Sequence, residues 1–169
     1  MSTLDGLKER GLYIDNELAE RYRKYVKEMR EREKYKPRRP GIALPHLPQD
    51  FLSVEEIEKY AKRNDVAIIV ITRLSGEGWD LKPERGSFYL SDNEKSLIEK
   101  VSRVFHEYKR KVIVVLNIGL PIEVFSWRDL VDAILLIWQP GQEAGRVVAD
   151  TLIGVINPSG KLPITFPKD

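Results

Sequence analysis

Glu77 stands between two glycines in the run Arg73-Leu74-Ser75-Gly76-Glu77-Gly78-Trp79-Asp80, just beyond the strand-like stretch of residues 66–71. A carboxyl group held by a loop at the carboxyl end of a buried strand lies where open α/β sheets usually gather their ligand chemistry. The flanking glycines let the backbone turn sharply and leave the acid unscreened by neighbouring side chains. Trp79 adds a flat apolar ring two residues on, a pairing that suits a site where a sugar is stacked and protonated in one place. The competing account is a solvated loop glutamate. On the octapeptide alone that plainer account is the stronger, because G-x-G spacing is weak by itself.

Such an acid needs a scaffold, and the pattern around it supplies one. Residues 15–34 read as one helix, with Leu18, Tyr22, Val26 and Met29 on a single apolar stripe and mixed charge elsewhere. Pro37, Pro40, Pro45 and Pro48, with Gly41 among them, make the stretch up to about residue 50 an extended connector. Ser53 opens the next helix with Glu56 at capping-box spacing, and Ser91 caps another that runs to about residue 108. Residues 66–71, 111–117 and 133–138 are continuous apolar runs expected to be buried strands, and residues 142–153 a closing helix. Buried strands alternating with helices predict an α/β fold, a three-layer α/β/α sandwich around a mostly parallel sheet. Its expected core comprises Ile68, Val70, Val112, Val114, Leu116, Ile134 and Leu136. The chain of 169 residues is read as one domain, with a helical front part and connector over residues 1–50 and the alternating part over 51–169.

In this arrangement the three strands end in Ser75-Gly76-Glu77-Gly78, Asn117-Ile118-Gly119-Leu120-Pro121 and Gln139-Pro140-Gly141-Gln142-Glu143, all on one side of the sheet. For the second and third loops, glycine and proline merely turning the chain is the better account.

Composition removes several function classes. Lys and Arg number 28 against 26 Asp and Glu, a balance of +2 with no lopsided basic face, so nucleic acid is not an expected partner. No apolar run is long enough to span a bilayer and no secretion signal opens the sequence, which makes a cytoplasmic location the expectation and a membrane partner unexpected. Without cysteine there are no disulfides or thiolate sites, and a 32% charged content leans toward a heat-adapted source. The dinucleotide fingerprint, the phosphate loop and the G-x-S-x-G nucleophile elbow do not occur. His46 and His106 are far apart and read as surface or packing histidines, so neither a cofactor nor a metal is expected.

Five ordered motifs then agree in one register: residues 75–80, Pro121-Ile122-Glu123-Val124, Val131-Asp132-Ala133-Ile134-Leu135, Trp138-Gln139-Pro140-Gly141-Gln142-Glu143, and residues 157–167. With them the chain resembles the α/β-sandwich domain of glycoside hydrolase family 3, the β-glucosidase and β-xylosidase group. The resemblance implies that Glu77 is the general acid/base of a retaining β-glycosidase, which protonates the departing glycosidic oxygen and then activates the water that frees the sugar. By the same resemblance Trp79 forms the apolar wall for substrate, and Asp80 contacts substrate or orients the loop. Trp79, Leu81 and Leu120 depart from the family's more common tyrosine, arginine and small residue, which bears on substrate preference. The nucleophilic aspartate of the family comes from a (β/α)8 barrel, the partner domain expected here, so the resemblance implies that this chain supplies only one of the two carboxyl groups that retaining chemistry holds about 5 to 5.5 Å apart. Two classes of function therefore stand side by side: the acid/base domain of a β-glycosidase, inactive alone, and an isolated or engineered α/β scaffold or binding module without turnover. Sugar binding without hydrolysis is a third. A family domain would open with a strand before the helix at residues 4–10, so an uncovered sheet edge and a homo-oligomer formed through it are further expectations.

Overall fold

The computed structural model describes residues 1–36, 46–74 and 80–168. Among these residues the elements follow one another as α1 (Thr3–Glu9), α2 (Asn16–Glu31), α3 (Val54–Ala61), β1 (Val66–Arg73), α4 (Asp92–Glu107), β2 (Lys111–Ile118), β3 (Ala133–Leu136) and α5 (Ala144–Leu152). Much of the proline-rich connector lies outside the described residues.

Local chemistry sets the helix starts. Ser53 Oγ accepts the Glu56 amide while the Glu56 carboxylate accepts the Ser53 N–H, and the same reciprocal pair forms between Ser91 and Glu94. Asp15 caps α2 through the Leu18 amide. That helix is shorter than expected because Arg32 turns extended (φ −75°, ψ 133°) and the chain tightens into a single 3-10 turn at Glu33–Tyr35. Likewise α5 begins at Ala144, after a 3-10 turn at Gly141–Glu143.

The strands form one parallel sheet in the order β1-β2-β3. Ile69, Ile71 and Arg73 pair with Val114, Leu116 and Ile118, so all six side chains share one face. That face packs on α3 and α4 through Ile57, Tyr60, Leu97, Ile98, Val104 and Phe105. Val115 points to the other face and is also fully buried, as is Val148 of α5. Helices α1 and α5 pack on each other in this second layer, giving the α/β/α sandwich. Their backbones meet at Gly6 and Gly145: a Cβ added to Gly6 would stand 2.0 Å from the Gly145 carbonyl oxygen. Arg10 grips Asp150 and Arg146 reaches Glu9 across the same seam.

The core differs from expectation at Ile68, Val70, Ile134 and Leu136, the last of them half-buried against the core rather than within it. Ile68 and Val70 are half-buried, and Ile69 and Ile71 take the interior positions. Ile68 pairs with Ile113, which puts it on the face opposite Val112 and Val114. Ile134 is 36% exposed, because β3 is an edge strand of four residues. That strand ends at Leu136, two residues early, and the chain turns at Trp138, whose φ of 51° is left-handed and whose ring packs on Phe166. At the amino edge of the sheet Asp132 accepts from Lys111 Nζ (2.7 Å) and the Val112 amide (2.8 Å) and lies 2.9 Å from His106 Nε2. His106 is thus half of a pair rather than a lone surface group. Among the described residues no helix is long and apolar enough to cross a membrane.

Candidate functional site

Parallel strands carry their chain exits to one edge, and at the carboxyl edge of this sheet the three exits meet. Thr72 of β1, Leu74 just beyond it, Asn117 of β2 and Gln139 to Gly141 beyond β3 line a common open cleft of about 520 Å³. Arg30 of α2 and His46 complete the wall. Of the second loop only Asn117, still within β2, reaches the cleft, whereas the third contributes Gln139, Pro140 and Gly141. Hydroxyl, amide, imidazole and guanidinium groups, the last from Arg30 and Arg73, stand among the apolar surfaces of Leu74, Pro140 and Ala144, the mixed lining expected where a small polar ligand binds. His46 Nδ1 lies 3.4 Å from Thr72 Oγ1. Burial holds the His46 imidazole below its usual pKa, with the Arg73 charge adding to the effect and Glu94 opposing it.

Beneath the cleft sits an ion pair. Arg73 is 5% exposed and Glu94 8%, and the guanidinium donates to both carboxylate oxygens at 2.7 Å. Arg73 Nε also donates to the Ser87 carbonyl at 2.9 Å and Nη1 to the Thr72 carbonyl at 2.7 Å. Glu94 Oε2 accepts the Ser91 amide and hydroxyl. Burial works to raise the Glu94 pKa, but Arg73 and the Ser91 donors outweigh it and hold the carboxyl below its ordinary value.

Of the residues predicted from sequence, Glu77 and Trp79 lie outside the described residues. Asp80, the first described residue after them, is exposed. The chain then folds into a tight turn in which the Lys82 amide donates to Ser87 Oγ (2.8 Å) and the Phe88 amide to the Lys82 carbonyl (3.1 Å). Gly86, at φ +81°, supplies the left-handed residue this turn needs. The Glu123 amide donates to the Phe88 carbonyl, which ties the Pro121-Ile122-Glu123-Val124 motif to the same turn. Trp127 is buried just beyond, its indole N–H on the Glu123 carbonyl at 2.9 Å.

Sequence reasoning gave no role to Arg73 or Glu94, read His46 as a surface or packing histidine, and named Asn117 only as the start of a turn. A signal existed for the first two: Arg73 shares the parity of Ile69 and Ile71, and Glu94 stands three residues after the cap at Ser91.

Residues 2–169 match the model of the glycosyl hydrolase family 3 C-terminal domain. The chain belongs to family 3. Relatives agree with that placement: β-glucosidase A of Butyrivibrio fibrisolvens is 37% identical over 75% of this chain, and a β-glucosidase of Ruminococcus albus 31% identical over 98% of it. Among solved structures, β-glucosidase 3B from Thermotoga neapolitana in complex with glucose superposes with a TM-score of 0.95 at 66% identity over 99% of this chain. A β-glucosidase from Paenibacillus barengoltzii does so at 0.83 and 28% identity, again over 99%. The family 3 domain spans 17% of the length of the two curated relatives and 23% of the Thermotoga chain.

Proposed function

We propose that this chain is the acid/base domain of a retaining β-glycosidase acting on β-glucosides or related β-glycosides, with Glu77 as the proton donor. The observation that carries the reading is positional: in the sequence Glu77 is three residues beyond Leu74, and Leu74 lines the cleft in which all three strand exits meet. The names of its family 3 relatives favour a β-glucoside as substrate. In the first half-reaction Glu77 gives its proton to the leaving oxygen; in the second it takes one from water. Trp79 walls the sugar, and Asp80 orients the loop or touches substrate. No cofactor enters this chemistry. The attacking carboxylate is assigned to a (β/α)8 barrel domain, so the chain alone is expected to be inactive.

The test is hydrolysis of an aryl β-glucoside by the purified chain, alone and with a family 3 barrel domain supplied. Turnover should require the barrel and fall at least about 100-fold in Glu77→Gln, the scale of one general acid/base. Equal rates for Glu77→Gln and the parent in the supplemented reaction would sink the assignment. The second reading is an isolated or engineered α/β scaffold or binding module without turnover. Supplementation that never yields turnover would favour it.

A further inference from the structure

Arg73 is the one arginine on the interior face of the sheet among the described residues, and its five-donor fork reaches three different segments. One arm bonds the carbonyl of its own neighbour Thr72 at the end of β1, and Nε holds the turn beyond Asp80 through the Ser87 carbonyl. Both terminal nitrogens hold Glu94, the third residue of α4, which is itself fixed by the Ser91 cap. The backbone of Arg73 is held as well, its carbonyl accepting the Gly119 amide from the exit of β2 at 3.2 Å. Thr72 and Ser87 stand on the two sides of the segment that runs from Leu74 to Asp80. A single buried group therefore sets the separation of that segment's entry from its exit and references both to a helix start.

Packing alone gives no reason for a charge here. Replacing a buried ion pair by apolar side chains of similar volume is often neutral or stabilising, so stability does not account for this pair, and the best-attested use of such a pair is to specify one geometry. A lysine keeps the charge but cannot reach the Ser87 and Thr72 carbonyls and both Glu94 oxygens together, because its donors radiate from one atom.

We propose that Arg73, neutralised by Glu94, is a positioning residue for the family 3 acid loop, clamping both anchors of the segment that bears Glu77. The proposal rests on the reading of Glu77 given above and is tested by a measurement that does not need it. The double variant Arg73→Met with Glu94→Gln removes both charges together, so it leaves no buried unpaired ion to unfold the chain. Amide exchange in the purified chain should then rise about tenfold or more across residues 80–90 while residues 111–118 keep the parent's protection. Arg73→Lys should fall between parent and double variant. Unchanged exchange over residues 80–90, a uniform rise through the whole chain, or full protection in Arg73→Lys would each overturn the clamp.

In the barrel-supplemented reaction the double variant should lower kcat about tenfold or more with KM kept, the signature of a displaced proton donor rather than lost binding. KM rising with kcat kept would overturn the positioning role. Should Glu77→Gln leave turnover intact, the acid assignment fails while the exchange result still decides the clamp.

Discussion

The two ends of the sheet are each tied by an ionic cluster, and the clusters differ in their access to water. At the amino edge Asp132 collects Lys111, the Val112 amide and His106, with the Lys111 and His106 side chains 68% and 43% exposed. At the carboxyl edge the Arg73 and Glu94 side chains are 5% and 10% exposed. Water solvates the first cluster whether or not its partners meet, so its net contribution is small and screened by salt. The second has surrendered its hydration, so either partner left alone becomes a buried charge without compensation. The edge that bears the cleft is thus the one built to fail as a unit.

Single substitutions should pull the two edges apart. Glu94→Ala is expected to cost about 3–5 kcal/mol in urea unfolding, the penalty for an orphaned buried guanidinium; a loss below about 1 kcal/mol would erase the contrast. Between the edges, Leu116→Ala should cost about 2–5 kcal/mol, since Leu116 is 1% exposed and packs under α4. Ile134→Ala, at 36% exposure, should cost clearly less, and equal losses would show the two positions to be equally interior. On the second layer, Gly6→Ala forces a methyl into the Gly145 carbonyl and should cost about 1–3 kcal/mol or more.

Smallest of all, Asp132→Asn at neutral pH should change stability by less than about 1 kcal/mol. Its pH dependence is more telling. Lys111, then the Val112 amide and His106, hold the Asp132 carboxyl well below the usual carboxylate range. A depressed folded-state pKa means that the contribution is complete above the unfolded value of about 3.9 and is lost as the pH falls below it. The parent should therefore lose stability more steeply than Asp132→Asn between about pH 4 and pH 2. Parallel curves would remove Asp132 from the acid response.

Much of this molecule is readable before any coordinates, and the exceptions share a cause. Capping residues such as Ser53, Ser91 and Asp15 announce helix starts because their side-chain bonds are local, and the predicted three-layer sandwich is the observed one. Strand parity is different. In residues 66–71 every side chain is apolar, so no alternation says whether Ile68 or Ile69 faces α4, and the pairing with β2 decides it. Arg73 deepens the ambiguity: a cation at a strand end reads as solvated, and only the distant Glu94 makes it interior. The cleft was legible as three loops on one side, but not as a shared lining, since His46 and Arg30 reach it from segments with no motif. The proposed site residues were reached through the glycines around Glu77 and the five motifs in register. The described residues bear on Asp80 alone among them.

The glycine-to-glycine seam between α1 and α5 has a consequence for how the molecule comes apart. With no side chains as spacers, neither helix has a slack conformation in which it loosens while its neighbour stays put. Opening should be concerted, so that the hydrogen-bonded amides of the two helices share one protection factor despite lying far apart along the polypeptide.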